Sequence, residues 1–385
     1  MKTKQVWSTE IIFHHGNDYL KAVEQAIANA TQRIDIETYI FDNDDIGQRI
    51  VHALIQAKQR GVLVRVLVDG IGSRHFENDL QPQLEKFGIL TRIYHHASFK
   101  WLISQLWKSP KQIKNIISTL NKRNHKKVIL IDDHTAFIGS INITKSHFKT
   151  HTHLLPWRDT SVMVQGSEVR FLHLAFLHTW SRSYASPHTQ RRDPICRKIN
   201  STIQPRTELV KLNHTRTLRH HKNKEFIQHI KQAQTRIWLT TPYLVPHILL
   251  LNALVHAAQR GVDVRILVPD HSDLYWIKHL SMTYYRPLID AHIQVFEYLP
   301  SVLHAKVSII DDHYLIGSTN MNHRSFIHDL EVDVAITQPS TQQLLVSQYQ
   351  EDENVSRRLN KNDLLHQKYY ARAIGQLLCY LKYFS

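Results

Sequence analysis

Two stretches of the chain carry the residue types that phosphodiester chemistry requires. The first, NHKKVILIDDHTAFIGSIN, contains His125, Lys127, Asp132, Gly139, Ser140 and Asn142; the second, LHAKVSIIDDHYLIGSTN, contains His304, Lys306, Asp311, Gly317, Ser318 and Asn320. Both read His-x-Lys-x4-Asp and then Gly-Ser-x-Asn. A phosphodiester carries a negative charge that repels nucleophiles, so its cleavage needs cations on the non-bridging oxygens, a nucleophile, and a proton donor for the leaving alcohol. Two His-Lys pairs and two Asn provide all three. Lys127, Lys306, Asn142 and Asn320 would bind the phosphoryl oxygens, where ammonium charge and amide donors stabilise a five-coordinate transition state, so neither a metal nor any other cofactor is expected. One imidazole, neutral, would attack phosphorus to give a phosphohistidine. The other, protonated, would give its proton to the leaving alcohol and later activate the incoming one. Spacing alone leaves open which histidine takes which role.

A single His-x-Lys on a strand ordinarily belongs to a solvated hairpin face. Its recurrence with the same spacing from His to Asp argues instead for function. Residues two apart on a strand project from one face, so His and Lys point together while Val128, Leu130 and Ile131, or Val307, Ile309 and Ile310, help build core. The Asp-Asp-His triplet supplies a turn, and the apolar return AFIG or YLIG carries the Asn back to the same end. Each motif is therefore predicted to be a hairpin on which His, Lys and Asn converge.

The elements that must hold these hairpins are duplicated as well. ALIQAKQRGVLVRVLVD, Ala53 to Asp69, matches ALVHAAQRGVDVRILVP, Ala253 to Pro269, at a constant offset of 253 minus 53, or 200. In both copies apolar residues at helical spacing lead to Gly61 or Gly261 and then to a β-branched run: helix, glycine C-cap, buried strand. Upstream, AIANATQRIDIETYIF near Arg33 parallels HIKQAQTRIWLTTPYLV near Arg236. Each half reads strand, helix, strand, an α/β unit.

The paired motif resembles the signature of the phospholipase D superfamily, and the likeness runs over most of the chain. A narrower similarity, to bacterial cardiolipin synthases, rests on ETYIFDNDDIG, RGVLVRVLVDGIGSR, WRDTSVMVQG after the first motif and HRSFIHDLEVDV after the second. The chain departs from that pattern in having Gly-Ser where many synthases have Gly-Gly, and Asp329 where Asn is usual. The resemblance implies an α/β protein of two similar phospholipase D-like domains, each a mixed β-sheet flanked by helices. They would be related by pseudo-twofold symmetry, with the active site at their interface. It implies His125 as the nucleophile and His304 as acid and base. A catalytic imidazole needs a carboxylate to hold its tautomer, and Asp159 and Glu331, in the synthase-like stretches, are each expected to orient one histidine. Asp132 and Asp311 are counted with the catalytic motif, a structural role at the strand-to-turn junction being the alternative.

Domain boundaries are expected at 1–185 for the first unit, 186–206 for a Pro-containing polar linker, 207–352 for the second unit, and 353–385 for a tail. The first unit has 64 residues from Gly61 to His125, the second 43 from Gly261 to His304, so the first holds 21 extra residues before its motif. This insertion, residues 98–120, sets Phe99, Leu102, Ile103 and Leu106 on one helical face, with Trp101, Trp107 and several lysines alongside and no acidic residue. Such a composition suits contact with an anionic lipid interface, Phe99, Trp101, Leu102, Leu106 and Trp107 being the candidate contacts. Covering the protein's own core is the other use of such a face. In the tail, Tyr370, Ile374, Leu377, Leu378, Leu381 and Phe384 form a second amphipathic stripe.

Composition bounds the partners. Lys plus Arg outnumber Asp plus Glu by 48 minus 33, or +15, in 385 residues, favouring an anionic partner: phospholipid membrane, phosphate ester or nucleic acid. With 42% apolar residues the chain can build large cores. Cys196 and Cys379 match no zinc or CxxC spacing, which excludes a disulfide framework. Histidine doublets such as His14–His15 and His95–His96 stand at no metal-binding spacing. The start, MKTKQVWSTEIIF, has no apolar signal core, and IWLTTPYLVPHILLLNALV is broken by Pro242 and Pro246, so no transmembrane helix is expected. The expected setting is peripheral, on the cytoplasmic side of the cell membrane. The reading that follows is transfer of a phosphatidyl group from a phosphatidylglycerol-like substrate to another lipid alcohol, as in cardiolipin synthesis. A phospholipase D-type hydrolase and a nuclease on the same scaffold are the alternatives, and a lipid- or nucleic-acid-binding module with a decayed site is the non-catalytic one.

Overall fold

A computed structural model describes residues 5–95, 122–149, 155–193 and 207–365. The insertion at 98–120, with Phe99, Trp101, Leu102, Leu106 and Trp107, and the amphipathic stripe from Tyr370 to Phe384 lie outside the described residues.

Two eight-stranded mixed sheets form the frame. The first comprises β1 (Thr9–Phe13), β2 (Arg33–Thr38), β3 (Leu63–Asp69), β4 (Leu90–Tyr94), β5 (Val128–Ile131), β6 (Thr135–Gly139), β7 (Ser161–Gln165) and β8 (Tyr184–Ala185). Their spatial order is β1-β7-β6-β5-β2-β3-β4-β8. The second comprises β9 (Val210–Leu212), β10 (Arg236–Thr240), β11 (Asp263–Pro269), β12 (Gln294–Tyr298), β13 (Val307–Ile310), β14 (His313–Gly317), β15 (Val332–Ile336) and β16 (Ser356–Arg358). It runs β9-β15-β14-β13-β10-β11-β12-β16, the same order strand for strand. In each sheet three consecutive strands, β2-β3-β4 or β10-β11-β12, are parallel and linked through helices, and the other pairings are antiparallel. The duplication read from the chain is thus a duplication of topology.

Patterning explains the layers. The helices Gly16–Asn29, Asp45–Gln59 and Phe76–Lys86 bury their apolar stripes on one face of the first sheet. The helices Arg216–Gln232, Ile248–Gln259 and Tyr275–Asp290 cover the second sheet in the same way. The opposite faces of the two sheets share a third core with the helices Val169–Trp180 and Pro339–Asn354. Successive residues of β5 and β13 serve different cores: Val128, Leu130, Val307 and Ile309 face the shared one, Ile129, Ile131 and Ile310 the helices. Gly61 (φ 92°) and Gly261 (φ 90°) end their helices in the left-handed conformation that lets each chain turn straight into β3 or β11.

The folded units reach beyond the expected edges. β8 is followed by the helix Pro187–Arg192 and by Asp193, whose buried carboxylate accepts from Arg92 Nη2 (2.8 Å) and Trp180 Nε1 (2.7 Å), so residues 186–193 belong to the first unit rather than to a linker. Likewise β16 pairs with β12, which carries the second unit past 352 to at least Arg358. Both edge strands are too short to leave a signal of alternation in the sequence.

Candidate active site

Each motif is the expected hairpin, β5 pairing antiparallel with β6 and β13 with β14. The strands begin one residue after each lysine, so His125, Lys127, His304 and Lys306 sit on extended lead-in segments. These lead-ins are held by the other half. Asn124 bridges Leu330, with His125 N donating to Leu330 O (3.0 Å); Arg158 bridges Leu303, with His304 N donating to Arg158 O (2.8 Å). The segment before each histidine therefore pairs with the segment beside the opposite carboxylate. Gly139 and Gly317 follow from packing: a Cβ at Gly317 would stand 2.3 Å from Val332 O and one at Gly139 2.5 Å from Ser161 Cα.

The carboxylates are exchanged between the halves. Glu331, from the second, accepts from His125 Nδ1 at 3.1 Å, and Asp159, from the first, accepts from His304 Nδ1 at 3.1 Å. All four are buried. Ser318 and Ser325 complete Glu331, donating at 2.5 and 2.6 Å. Asp159 has a different second partner, the buried His147, whose Nδ1 meets the other carboxylate oxygen. Sequence reasoning missed His147, Ser318 as a carboxylate ligand, and Ser325. Residues 147 and 325 differ by 178, the offset that relates Asn142 to Asn320, so aligning the halves does place His147 opposite Ser325.

Lys127 Nζ donates to His125 O (2.8 Å), and Lys306 Nζ donates to His304 O (2.6 Å) and lies 3.1 Å from His304 Nε2. Tyr39 closes the first side, its ring centroid 5.0 Å from that of His125 and 5.1 Å from Lys127 Nζ. Asn142 and Asn320 are buried. Asn142 Oδ1 accepts from Ile40 N (3.3 Å), and Asn320 Oδ1 has no hydrogen-bond partner among the described residues.

Asp132 and Asp311, expected with the catalytic motif, do not join this group in space. They lie at the far ends of β5 and β13, seven residues beyond the histidines, roughly 20 Å along an extended chain. Both adopt positive φ (52° and 50°). Asp132 accepts from the backbone N–H groups of Thr31, Gln32 and Arg33, and Asp311 from those of Gln234, Thr235 and Arg236. They tie the turn to the start of β2 or β10, the structural alternative.

Burial dominates the electrostatics. It holds the His125 imidazole well below its ordinary value, with Lys127 and Lys306 acting in the same sense, and burial together with Lys306 pushes His304 down to about 3. Burial and the neighbouring Lys306 lower Lys127 to about 7, and burial lowers Lys306 to about 8. The carboxylates split. Burial raises Glu331 to about 7, against the pull of Lys127, whereas the charges and hydrogen bonds of His147 and His304 overcome burial and hold Asp159 well below the usual carboxylate range. Before an anion arrives, burial favours the neutral form of both imidazoles and of both lysines.

Among the described residues His147, Asp159 and His304 form one group that could hold a metal ion, with donor atoms within 4.8 Å of one another. Their two Nδ1 atoms are already committed to Asp159. Among the described residues no helix is long and apolar enough to cross a membrane.

The chain is similar to known proteins over most of its length. The family profile described as "Cardiolipin synthase, PLD-like domain" matches residues 23–174 and 226–354. The chain is 32% identical over 371 residues to the cardiolipin synthase of Halalkalibacterium halodurans, covering 93% of this chain and 69% of the relative. With the major cardiolipin synthase ClsA of Bacillus subtilis it shares 29% identity over 93% of this chain and 71% of the relative. Among solved structures, the phosphatidylserine synthase of Haemophilus influenzae superposes with a TM-score of 0.73 at 16% identity, covering 98% of this chain and 94% of that one. The polyphosphate kinase of Porphyromonas gingivalis gives 0.61 at 15% identity, over 99% and 54%. At these identities the two structures speak for the fold alone.

Proposed function

The chain belongs to the cardiolipin synthase family of phospholipase D-like domains, and from that premise we propose that it transfers a phosphatidyl group from phosphatidylglycerol to the alcohol of a second phospholipid, yielding cardiolipin and glycerol. The observation that carries the chemistry is the crosswise pair of imidazole-carboxylate contacts, Glu331 with His125 and Asp159 with His304. In both, Nδ1–H is engaged, which turns Nε2 of each ring towards the reacting atoms, that of His304 lying 3.1 Å from Lys306 Nζ.

His125, neutral and beside Lys127, attacks phosphorus. The P–N bond forms as the P–O bond to glycerol breaks, and His304 gives the leaving oxygen its proton. The incoming lipid alcohol then returns a proton to His304 as its oxygen bonds to phosphorus and the P–N bond breaks. Lys127, Lys306, Asn142 and Asn320 hold the non-bridging oxygens; Asn142 has its carbonyl oxygen tied to Ile40, which leaves its NH2 group to donate. The split between the carboxylates suits these roles, because an ionised Asp159 stabilises the imidazolium that His304 must become. The phosphodiester charge raises both lysines and both imidazoles, so His304 takes up its proton from solvent as the anionic substrate binds.

Lipid analysis after incubation with phosphatidylglycerol vesicles tests the reading. Cardiolipin and free glycerol in equal amounts, abolished by His125→Ala and by His304→Ala, are expected. Phosphatidic acid as the sole product would reassign the protein to hydrolysis, and absence of both lipids would sink the proposal. The anionic membrane is the proposed partner and the cytoplasmic leaflet the proposed face, supported by the +15 charge and the lysine-rich insertion.

A further inference from the structure

The two halves differ in one place where their topology demands equivalence. In the first, the helix Gly16–Asn29 packs onto its sheet through interlocking rings of Phe13, Tyr19 and Phe137, with centroids 5.8 to 6.3 Å apart. Strand register locates the counterparts. Phe13 pairs with Ser161 and Lys211 with Asp333, which in turn pair with Gly139 and Gly317. The row Ile129-Phe137-Met163 corresponds to Ser308-Leu315-Ala335. On the helices, Tyr19 corresponds to Lys222: 222 minus 19 is 203, as is 236 minus 33 for the arginines that open β2 and β10.

Aromatic and large aliphatic residues of the first half are thus replaced by polar or smaller ones in the second. The second half has a cavity of about 310 Å³ at that place, between the helix Arg216–Gln232 and the sheet. Lys306 forms part of its wall, so it adjoins the reacting centre. Leu209, Phe226, Leu315 and Ile336 give it an apolar wall, and charged groups line the rest. Lys222 Nζ donates to Thr319 Oγ1 (2.7 Å) and pairs with Asp333 Oδ2 (2.9 Å), and Lys211 pairs with Glu225 at 2.6 Å.

We propose that this cavity binds a small polyhydroxy alcohol, the class to which the glycerol released by the reaction belongs. An alkyl chain would leave the Lys222–Asp333 pair and the Thr319 hydroxyl facing hydrocarbon, at a cost that hydroxyl groups avoid by hydrogen bonding. Size agrees: at roughly 30 Å³ per water the space holds on the order of ten waters, room for a triol with part of its hydration. The inference rests on the transfer reaction proposed above and adds a place for its small product: protonated by His304, glycerol has a polar compartment beside Lys306.

Leu315→Phe together with Ala335→Met restores the side chains of the first half and fills the cavity. Exchange of isotope-labelled glycerol into phosphatidylglycerol vesicles is compared with formation of phosphatidylmethanol from methanol, which is small enough to be indifferent. The ratio of glycerol to methanol exchange is expected to fall at least tenfold in the double variant, and Ala335→Met alone is expected to move it in the same direction. A ratio within twofold of the unaltered protein, including equal loss with both alcohols, overturns the inference, as does a changed acyl-chain preference with the ratio unmoved. If the unaltered protein exchanges neither alcohol, the transfer reaction itself has failed. The cavity is then judged by saturation transfer from protein to glycerol alone, which must be present in the unaltered protein and lost in the double variant.

Discussion

Asp159 belongs to the first half of the chain yet holds His304 of the second, its Oδ1 3.1 Å from the imidazole Nδ1, while Glu331 returns the contact to His125. Neither half supplies the carboxylate that holds its own motif histidine. Asp159→Asn presents an amide to His304 and favours the wrong tautomer, with an expected loss in kcat on the order of 10³ to 10⁴. Glu331→Gln acts likewise on His125. Vesicle turnover checks both, and a loss of less than tenfold in either variant would contradict the orienting role.

The lysines set the pH response. With burial lowering Lys127 to about 7 and Lys306 to about 8, each is charged below its value and neutral above it, so anion affinity must fall as pH rises from 7 to 9. Sulfate, whose charge is constant over that range, is the suitable probe for calorimetric titration. At least a fivefold weakening is expected, reduced by Lys306→Met. Affinity independent of pH would mean that the lysines keep ordinary values.

Asp132 and Asp311 should matter for stability and little for rate. Asp311→Ala removes the acceptor for three backbone N–H groups at the start of β10, an expected loss of about 1 to 2 kcal/mol, with kcat within threefold. The sign of the pH effect follows from its depressed value of about 2: this stabilisation is present above the unfolded value near 4 and is lost as pH falls through 2. Denaturant unfolding and turnover, measured on one preparation, separate the two roles.

A third cross-half contact is structural. Arg158, buried beside Asp159, donates to both carboxylate oxygens of Asp352 at 2.9 and 2.8 Å. Arg158→Met strands a buried carboxylate at an expected cost of about 3 to 5 kcal/mol. Adding Asp352→Leu should recover much of it, and a double-mutant cycle of unfolding free energies measures the coupling. Additive losses would show that the pair does not couple the halves.

What could be read in advance follows from how local each signal is. The hairpins, the duplicated α/β units and the convergence of His, Lys and Asn were legible because a motif spanning 18 residues from His125 to Asn142 and 17 from His304 to Asn320 occurs twice with the same His-to-Asp spacing, whereas Asp159 and Glu331 lie outside it and were expected from the family resemblance. The crosswise pairing was not, because it joins positions 145 and 206 residues apart and depends on how two sheets face each other. His147 was hidden for another reason: its counterpart is Ser325, so repetition, the signal that exposed the rest, is silent there. The strands β8 and β16, of two and three residues, lack the length for an alternating pattern. Asp132 and Asp311 show how a repeated motif also repeats residues that bind its turn, since both accept backbone N–H groups away from the histidines.

The central claim is that imidazoles from both halves act in turn on one phosphorus through a covalent adduct. Peptide mass spectrometry after acid-free quenching of the His304→Asn variant on vesicles of a phosphatidyl ester of p-nitrophenol, whose leaving group needs no proton, tests it most directly. The account predicts a phosphatidyl group on the peptide containing His125, absent when His125 is also replaced; an unmodified His125, in a preparation whose parent protein makes cardiolipin, would contradict it.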